Sequence, residues 1–404
     1  MKPQLASSEL AVGVDAGSSW TRCVICALEG EYLRYLGHGI EPSSGWARGR
    51  ISDPAAVGKS IRGAVTGAEE NAGVAVEAVT LGIGGAHLRG VQGRGLYEFG
   101  RAREIGLEEL SYAARRASDV HLERDRMLLH VLPQDFILDG YAGYRRPEKS
   151  VCSRLEANVH LVTSSIQEHQ ALVSSAHFAH LAVEETVFEP IAAAYACLAA
   201  EDRVSGAAVL DLGLYSTGIA IYDGEALQLA ANLRAWGDHF TRDISQMFTV
   251  TYEDAERLKR EYGCAILGLI SDSTLIEIPS PEGRAPREAR RGELVEVLEA
   301  RADELFQFAL DAVRRSGMEN KLLNGVMLTG GGSLLTGMCD MAERVLNCQA
   351  GNGLAKGIGD WPRELESPLW TTAAGLSMYS ARLKLRRSPR RRPGGGGLLG
   401  WMTR

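Results

Sequence analysis

Two stretches of this chain, 196 positions apart if measured from Asp15 to Asp211, follow one pattern. Residues 10–14 form an apolar run ending in Asp15-Ala-Gly-Ser-Ser19, and residues 21–28 return with the spacing of a second strand. Residues 207–210 are again apolar and end in Asp211-Leu-Gly213; residues 218–222 return before the turn Asp223-Gly224. A strand, an Asp-x-Gly turn and a second strand, written twice, signal an internal duplication and predict two similar halves. A turn after a strand can aim backbone N–H groups at a phosphate, and glycine lets the backbone come close. Ser18 and Ser19 add hydroxyl donors. Asp15 and Asp211, one at each strand end, suit a hydrated Mg²⁺, which keeps several waters and few protein ligands. Facing hairpins would clamp a polyphosphate between the halves. A single Asp-x-Gly carries little information, because surface turns use it freely; its repetition carries more.

Around these hairpins the chain reads as α/β. Residues 53–71 have helical spacing, with Asp53 as N-cap and Pro54 in the first helical position. Residues 78–83 predict a strand ending in Gly84-Gly85. Residues 90–157 change character: mixed and charged, with short strands at 127–131 and 136–138, they predict an inserted subdomain. Residues 158–163 predict a buried return strand, and 166–179 and 189–200 helices. In the second half, helices are expected at 238–248, 251–262 and 293–316, and a charged, Pro-containing loop at 279–291. A strand at 325–328 runs into Thr329-Gly-Gly-Gly332, with a helix over 333–345. The expected division is 1–88 with 158–203 as the first half, 89–157 as the insertion, and 204–244 with 300–385 as the second half. Residues 245–299 make a small subdomain, and 386–404 a basic linker and tail.

The chain of 404 residues is long enough for several cores, and its 45% hydrophobic content is ordinary for a globular protein. The formal net charge of −7 implies no general affinity for nucleic acid. From Arg382 to Arg404, however, there are basic residues and no acid. Seven scattered cysteines fit free thiols in a reducing compartment. Cys23 and Cys26, three apart in a strand, point to opposite faces and predict no redox or metal pair. No charged, apolar, small-residue leader opens the chain, and no apolar run nears the roughly 18–20 residues that span a bilayer.

Three further motifs belong with the turns. Gly330-Gly331-Gly332, between a strand and a helix, allow backbone approach to a base or phosphate, or serve as a plain glycine-rich connection. Glu256 and Lys259 share a helix face; Glu256 could accept from ribose hydroxyls while Lys259 flanks the base. Taken alone, that pair is a solvated helix face. Glu189-Pro190 opens an Ala-rich helix whose small residues permit close packing.

In this order, the motifs resemble the actin-like ATPase superfamily, and within it the bacterial cell-division family FtsA, over nearly the whole chain. Val12-Gly-Val-Asp-Ala-Gly-Ser-Ser19 resembles the first phosphate motif, Asp211-Leu-Gly213 the second, and Leu328-Thr-Gly-Gly-Gly332 the adenosine motif. His130-Val-Leu-Pro-Gln-Asp-Phe136 is similar to part of FtsA's own insertion. The resemblance implies the actin/sugar-kinase fold, with ATP or ADP and Mg²⁺ at Asp15, Gly17, Ser18, Ser19, Asp211, Gly213, Ser216, Gly237, Glu256, Lys259 and Gly330–Gly332. It implies metal contact by Asp15 and Asp211 through water, and a water-orienting position at Glu189 that is equally a structural helix start. It further implies self-association, other division proteins on the insertion, and capture of the FtsZ C-terminal peptide by Arg284, Arg287, Arg290 and Arg291. Leu398, Leu399, Trp401 and Met402 would meet an anionic membrane, placing the protein peripherally on the cytoplasmic face at the division site.

Three departures bear on activity. Leu214 and Tyr215 stand where the second phosphate turn usually has glycines, so obstruction of a γ-phosphate or displacement of the turn is expected, and hydrolysis slow or absent. Trp20 stands where lysine is frequent, and Gly218 where aspartate is common. Two other readings share the fold: a PilM-like pilus-assembly protein and a small-molecule kinase.

Overall fold

The computed structural model describes residues 9–271, 273–280 and 285–387. Strands β1 (Leu10–Ala16), β2 (Trp20–Glu29) and β3 (Tyr32–Pro42) form an antiparallel meander. A short hairpin, β4 (Trp46–Ala47) and β5 (Arg50–Ile51), precedes α1 (Pro54–Ala72) and β6 (Ala78–Ile83). The insertion follows as β7 (Arg89–Glu104), α2 (Leu107–Ser118), β8 (Arg126–Leu138), β9 (Tyr141–Tyr144) and β10 (Val151–Ser165). Then come α3 (Ile166–Phe178), β11 (Ala182–Phe188), α4 (Glu189–Cys197) and α5 (Ala200–Val204). The second half opens with β12 (Ala207–Leu212), β13 (Thr217–Asp223), β14 (Ala226–Asn232), α6 (Gly237–Phe248) and α7 (Tyr252–Tyr262). It continues through β15 (Leu275–Ile278), β16 (Arg287–Arg290), α8 (Arg291–Arg315), β17 (Val326–Thr329), α9 (Met338–Leu346) and β18 (Ala350–Asn352). Helix α10 (Thr371–Arg387) closes the described chain.

The duplication is visible in the sheets. The first has the order β11-β6-β1-β2-β3 and the second β18-β17-β12-β13-β14. Strand senses agree as well: β1 and β12 each pair antiparallel with the next strand and parallel with β6 or β17. Even the register repeats, with Asp15 opposite Arg22 and Asp211 opposite Gly218. β1 is buried along nearly its whole length, as a central strand covered on both faces must be. Helix α1 starts as expected, Asp53 Oδ1 accepting from the amides of Ala55 and Ala56 at 3.0 and 3.1 Å. Gly73 ends it in the left-handed conformation. Cys23 and Cys26 are free and buried in different apolar clusters, on opposite sides of the first sheet.

Several expected boundaries move. Residues 158–163 are the end of β10, paired with both β7 and β8, and so belong to the insertion's own sheet. An apolar run shows that a strand is buried, not which sheet buries it. The strands expected at 127–131 and 136–138 are one strand, β8, whose pairing shifts register on either side of Leu132 and Pro133. The 279–291 loop contains β16, which pairs with β15, and its last residue begins α8. The 333–345 helix starts only at Met338, because a short 3₁₀ turn over Gly331–Leu334 comes first. Helix α10 had no sequence expectation, and 371–385 were assigned to the second half. Instead α10 lies on β1 and α4 of the first half, where Ser377 Oγ donates to the Ala11 carbonyl at 2.9 Å. Gly13 and Gly375 make that approach possible, since a β-carbon at either would collide with backbone of α10 or α4.

Candidate functional site

The two halves enclose a cavity of about 520 Å³. Every residue expected at the nucleotide lines it, from Asp15 and Gly17–Ser19 through Asp211, Gly213, Ser216 and Gly237 to Glu256, Lys259 and Gly330–Gly332, together with Glu189.

Its floor is acidic. Asp15 and Asp211 end the two central strands, and Glu189 begins α4 behind them. Burial pushes Asp15 up to about 7; Arg22 opposes the shift and Asp211 adds to it. Burial likewise raises Glu189 well above the usual carboxylate range, reinforced by Asp15 and Asp211. Asp211 is raised by burial despite hydrogen bonds that favour its charge; Thr372 Oγ1 donates to its Oδ2 at 2.9 Å. Glu189 can lie here only because residue 84 is glycine: a β-carbon there would strike its carboxylate. Among the described residues no three His, Cys, Asp or Glu side chains are placed to ligate a metal directly. Crowded carboxylates sharing one nearby guanidinium, with oxygen donors only, fit a hydrated Mg²⁺.

The second Asp-x-Gly turn is strapped to the start of α6. Gly213 N donates to Ser216 O at 2.8 Å, Gly237 N to Gly213 O at 3.0 Å and Asp238 N to Leu214 O at 2.8 Å. Tyr215 crosses to the other half and packs on the β4–β5 turn, where a β-carbon at Gly49 would lie 2.6 Å from the Tyr215 Cβ. Gly49 has φ +76°, so it is doubly constrained to glycine. Gly218 has a packing reason too: a β-carbon there would run into the Pro190 ring at the start of α4.

The opposite wall carries the expected helix pair. Lys259 Nζ meets Glu256 Oε2 at 2.6 Å, and Thr241 Oγ1 donates to the same oxygen at 2.6 Å. Burial tends to raise Glu256, but Lys259, Thr241 and Arg260 together bring it below its usual value, so it stays ionised. Glycine again sets the opposite edge, since a β-carbon at Gly330 would lie 2.5 Å from Asp211 Oδ1.

Sequence reasoning missed Arg22, Trp46, His87, Glu168 and Thr372, all of which line the cavity. Arg22 could have been found by counting back along the hairpin from Asp15. The expected peptide-binding arginines lie elsewhere. Arg287 Nη2 donates to the Phe248 carbonyl at 2.7 Å and Arg291 Nε to the Tyr262 carbonyl at 2.8 Å, at the ends of α6 and α7. Arg290 pairs with Glu293 at 3.2 Å. Arg284, Leu398, Leu399, Trp401 and Met402 lie outside the described residues.

The profile described as "Cell division protein FtsA" matches residues 208–375, and that of the "SHS2 domain inserted in FTSA" matches 85–163. The Cell division protein FtsA of Pseudomonas aeruginosa is 32% identical over 378 residues, covering 92% of this chain and 89% of its own. This chain belongs to the FtsA family. Its Escherichia coli K12 relative of the same name is 29% identical over 92% of this chain and 90% of its own. Solved structures agree on an actin-like fold. The PilM-PilN type IV pilus biogenesis complex matches with TM-score 0.67 at 18% identity, over 92% of this chain and 98% of that one. MreB5 of Spiroplasma citri bound to ADP matches with TM-score 0.57 at 13% identity, over 94% and 98%. The FtsA insertion profile ends at residue 163, within β10, which supports assigning that strand to the insertion.

Proposed function

We propose that this FtsA-family chain binds ATP or ADP with Mg²⁺ between its halves, self-associates, and tethers FtsZ filaments to the cytoplasmic face of the membrane during division. The observation carrying the nucleotide part is that one cavity gathers both Asp-x-Gly turns, the Gly330–Gly332 turn and the Glu256–Lys259 pair. Gly17, Ser18 and Ser19 would present donors to phosphate from one half. From the other half Gly213 would let the phosphate come close and Ser216 would offer its hydroxyl, since the amides of Gly213, Gly237 and Asp238 already hold the turn together. Glu256, held ionised, would accept from ribose hydroxyls. Asp15 and Asp211 would hold the waters of Mg²⁺, whose charge offsets that of the phosphates and the carboxylates. Hydrolysis is slow on this reading, because Leu214 and Tyr215 stand where this turn usually has glycines and leave the terminal phosphate poorly held for in-line attack.

The tether has two ends. At the FtsZ end, Arg284, Arg287, Arg290 and Arg291 would receive an acidic peptide, although Arg287 and Arg291 each give one donor to a helix carbonyl and Arg290 pairs with Glu293. The insertion would receive other division proteins. At the membrane end, no helix among the described residues is long and apolar enough to cross a bilayer. The tail beyond Arg387 combines basic residues with Leu398, Leu399, Trp401 and Met402. Each basic charge near an anionic surface contributes about 1 kcal/mol, and two weak signals together can anchor where one cannot. The PilM-like and kinase readings share the fold, but the FtsA insertion profile and the 32% identity favour the division reading. Co-sedimentation tests it: FtsZ should pellet with anionic vesicles only when this chain is present. FtsZ left in the supernatant with the chain bound to vesicles would overturn the tether.

A further inference from the structure

Arg22 stands directly opposite Asp15 on the neighbouring strand, so both side chains rise from one face of the sheet, and both line the cavity. The equivalent pair in the second half is Asp211 with Gly218, where Pro190 leaves no room for a side chain. One guanidinium therefore serves two carboxylates, and the fields of both Asp15 and Asp211 act on it. Its Cζ lies 5.8 Å from the centroid of the Trp370 ring. Its Nε is buried with no hydrogen-bond partner. A buried donor on a charged group is rarely left unmet, so this guanidinium, which lines the cavity, keeps bonding capacity that the described residues do not use. Residue 20 shares Arg22's face of β2, two positions away, and is Trp20, which carries no charge.

We propose that Arg22 binds phosphate: its N–H groups donate to non-bridging oxygens of the nucleotide's polyphosphate, supplying the cation that position 20 lacks. The planar fork of a guanidinium matches two phosphate oxygens at once, which a lysine cannot do. In the nucleotide-free cleft the same group lies within the fields of Asp15 and Asp211; with nucleotide bound, its N–H groups would turn to the phosphate and the two carboxylates would hold the waters of Mg²⁺. This assignment rests on the nucleotide reading above.

Titrating wild type, Arg22→Gln and Arg22→Lys with adenosine, ADP and ATP in Mg²⁺ separates the two. Arg22→Gln should bind ADP and ATP about ten- to a hundredfold more weakly, the range for a charged hydrogen bond, and adenosine as wild type does. Arg22→Lys, which keeps the charge and loses the fork, should show a smaller loss confined to ADP and ATP. An equal loss for all three ligands, or no loss for any, would overturn the assignment. If Arg22→Gln does not fold, Arg22→Lys decides alone: several-fold weaker ADP with unchanged adenosine supports the role, and unchanged ADP rejects it. A wild type that binds none of the three would overturn the nucleotide reading itself.

Discussion

Replacing Asp15 by asparagine should remove a pH dependence that the wild-type cleft builds into the protein's own stability. Burial raises Asp15 from 3.8 to about 7. An acid whose folded value is raised holds its proton more tightly folded than unfolded. It therefore adds stability that is fully present below pH 4 and is lost as the pH rises through 7. A difference of about 3 units corresponds to about 4 kcal/mol at 1.36 kcal/mol per unit. This is an upper bound, because part of the Asp15 side chain faces the cavity and its water. Asparagine fills nearly the same volume and does not titrate. The assay is urea unfolding of nucleotide- and metal-free protein between pH 4.5 and 8.5, wild type against Asp15→Asn. The wild type should lose stability relative to the variant across that window, by up to about 4 kcal/mol. Adding Mg²⁺ and nucleotide should flatten the wild-type slope, since a cation favours the ionised carboxylate. Parallel stability curves for the two proteins would refute the reasoning. They would mean that Arg22 neutralises an ionised Asp15 in the free cleft.

Four other outcomes follow from the same account. Steady-state ATP hydrolysis should stay below about 1 s⁻¹, the low end of ordinary turnover; a faster rate would show that Leu214 and Tyr215 have been misread. Arg287→Ala should cost about 1 kcal/mol of stability through the lost bond to the Phe248 carbonyl, measured by chemical denaturation. Arg290→Glu should instead weaken binding of an FtsZ C-terminal peptide in low salt, and unchanged affinity would reject this surface. Deleting 398–404 should abolish salt-sensitive binding to anionic vesicles; co-sedimentation equal to the full chain would show that the segment is no anchor.

The duplicated hairpins were legible because an Asp-x-Gly hairpin is local: strand, turn and return strand lie within about a score of residues, and glycine marks the tight turn. Their repetition then implied the facing halves, and the cavity contains every nucleotide residue inferred from that pattern and the family resemblance. What was not legible depended on partners distant in sequence. Thr372 reaches Asp211 from a helix 161 residues further along the chain, and no local signal announces that contact. The end of β10 was assigned to the wrong sheet because burial is all that an apolar run encodes. Gly218 appeared to be a missing carboxylate; the structure shows a position cleared for Pro190. The basic residues at 287 and 291 suggested a docking surface, yet each spends a donor on a helix carbonyl.

The central claim is that the cavity between the halves holds an adenine nucleotide, and calorimetric titration with Mg²⁺ and ATP tests it most directly. The account predicts saturable binding by the wild type, weakened by Asp15→Ala at the phosphate end and by Glu256→Ala at the ribose end. Absence of binding by the folded wild-type chain at millimolar nucleotide would contradict it.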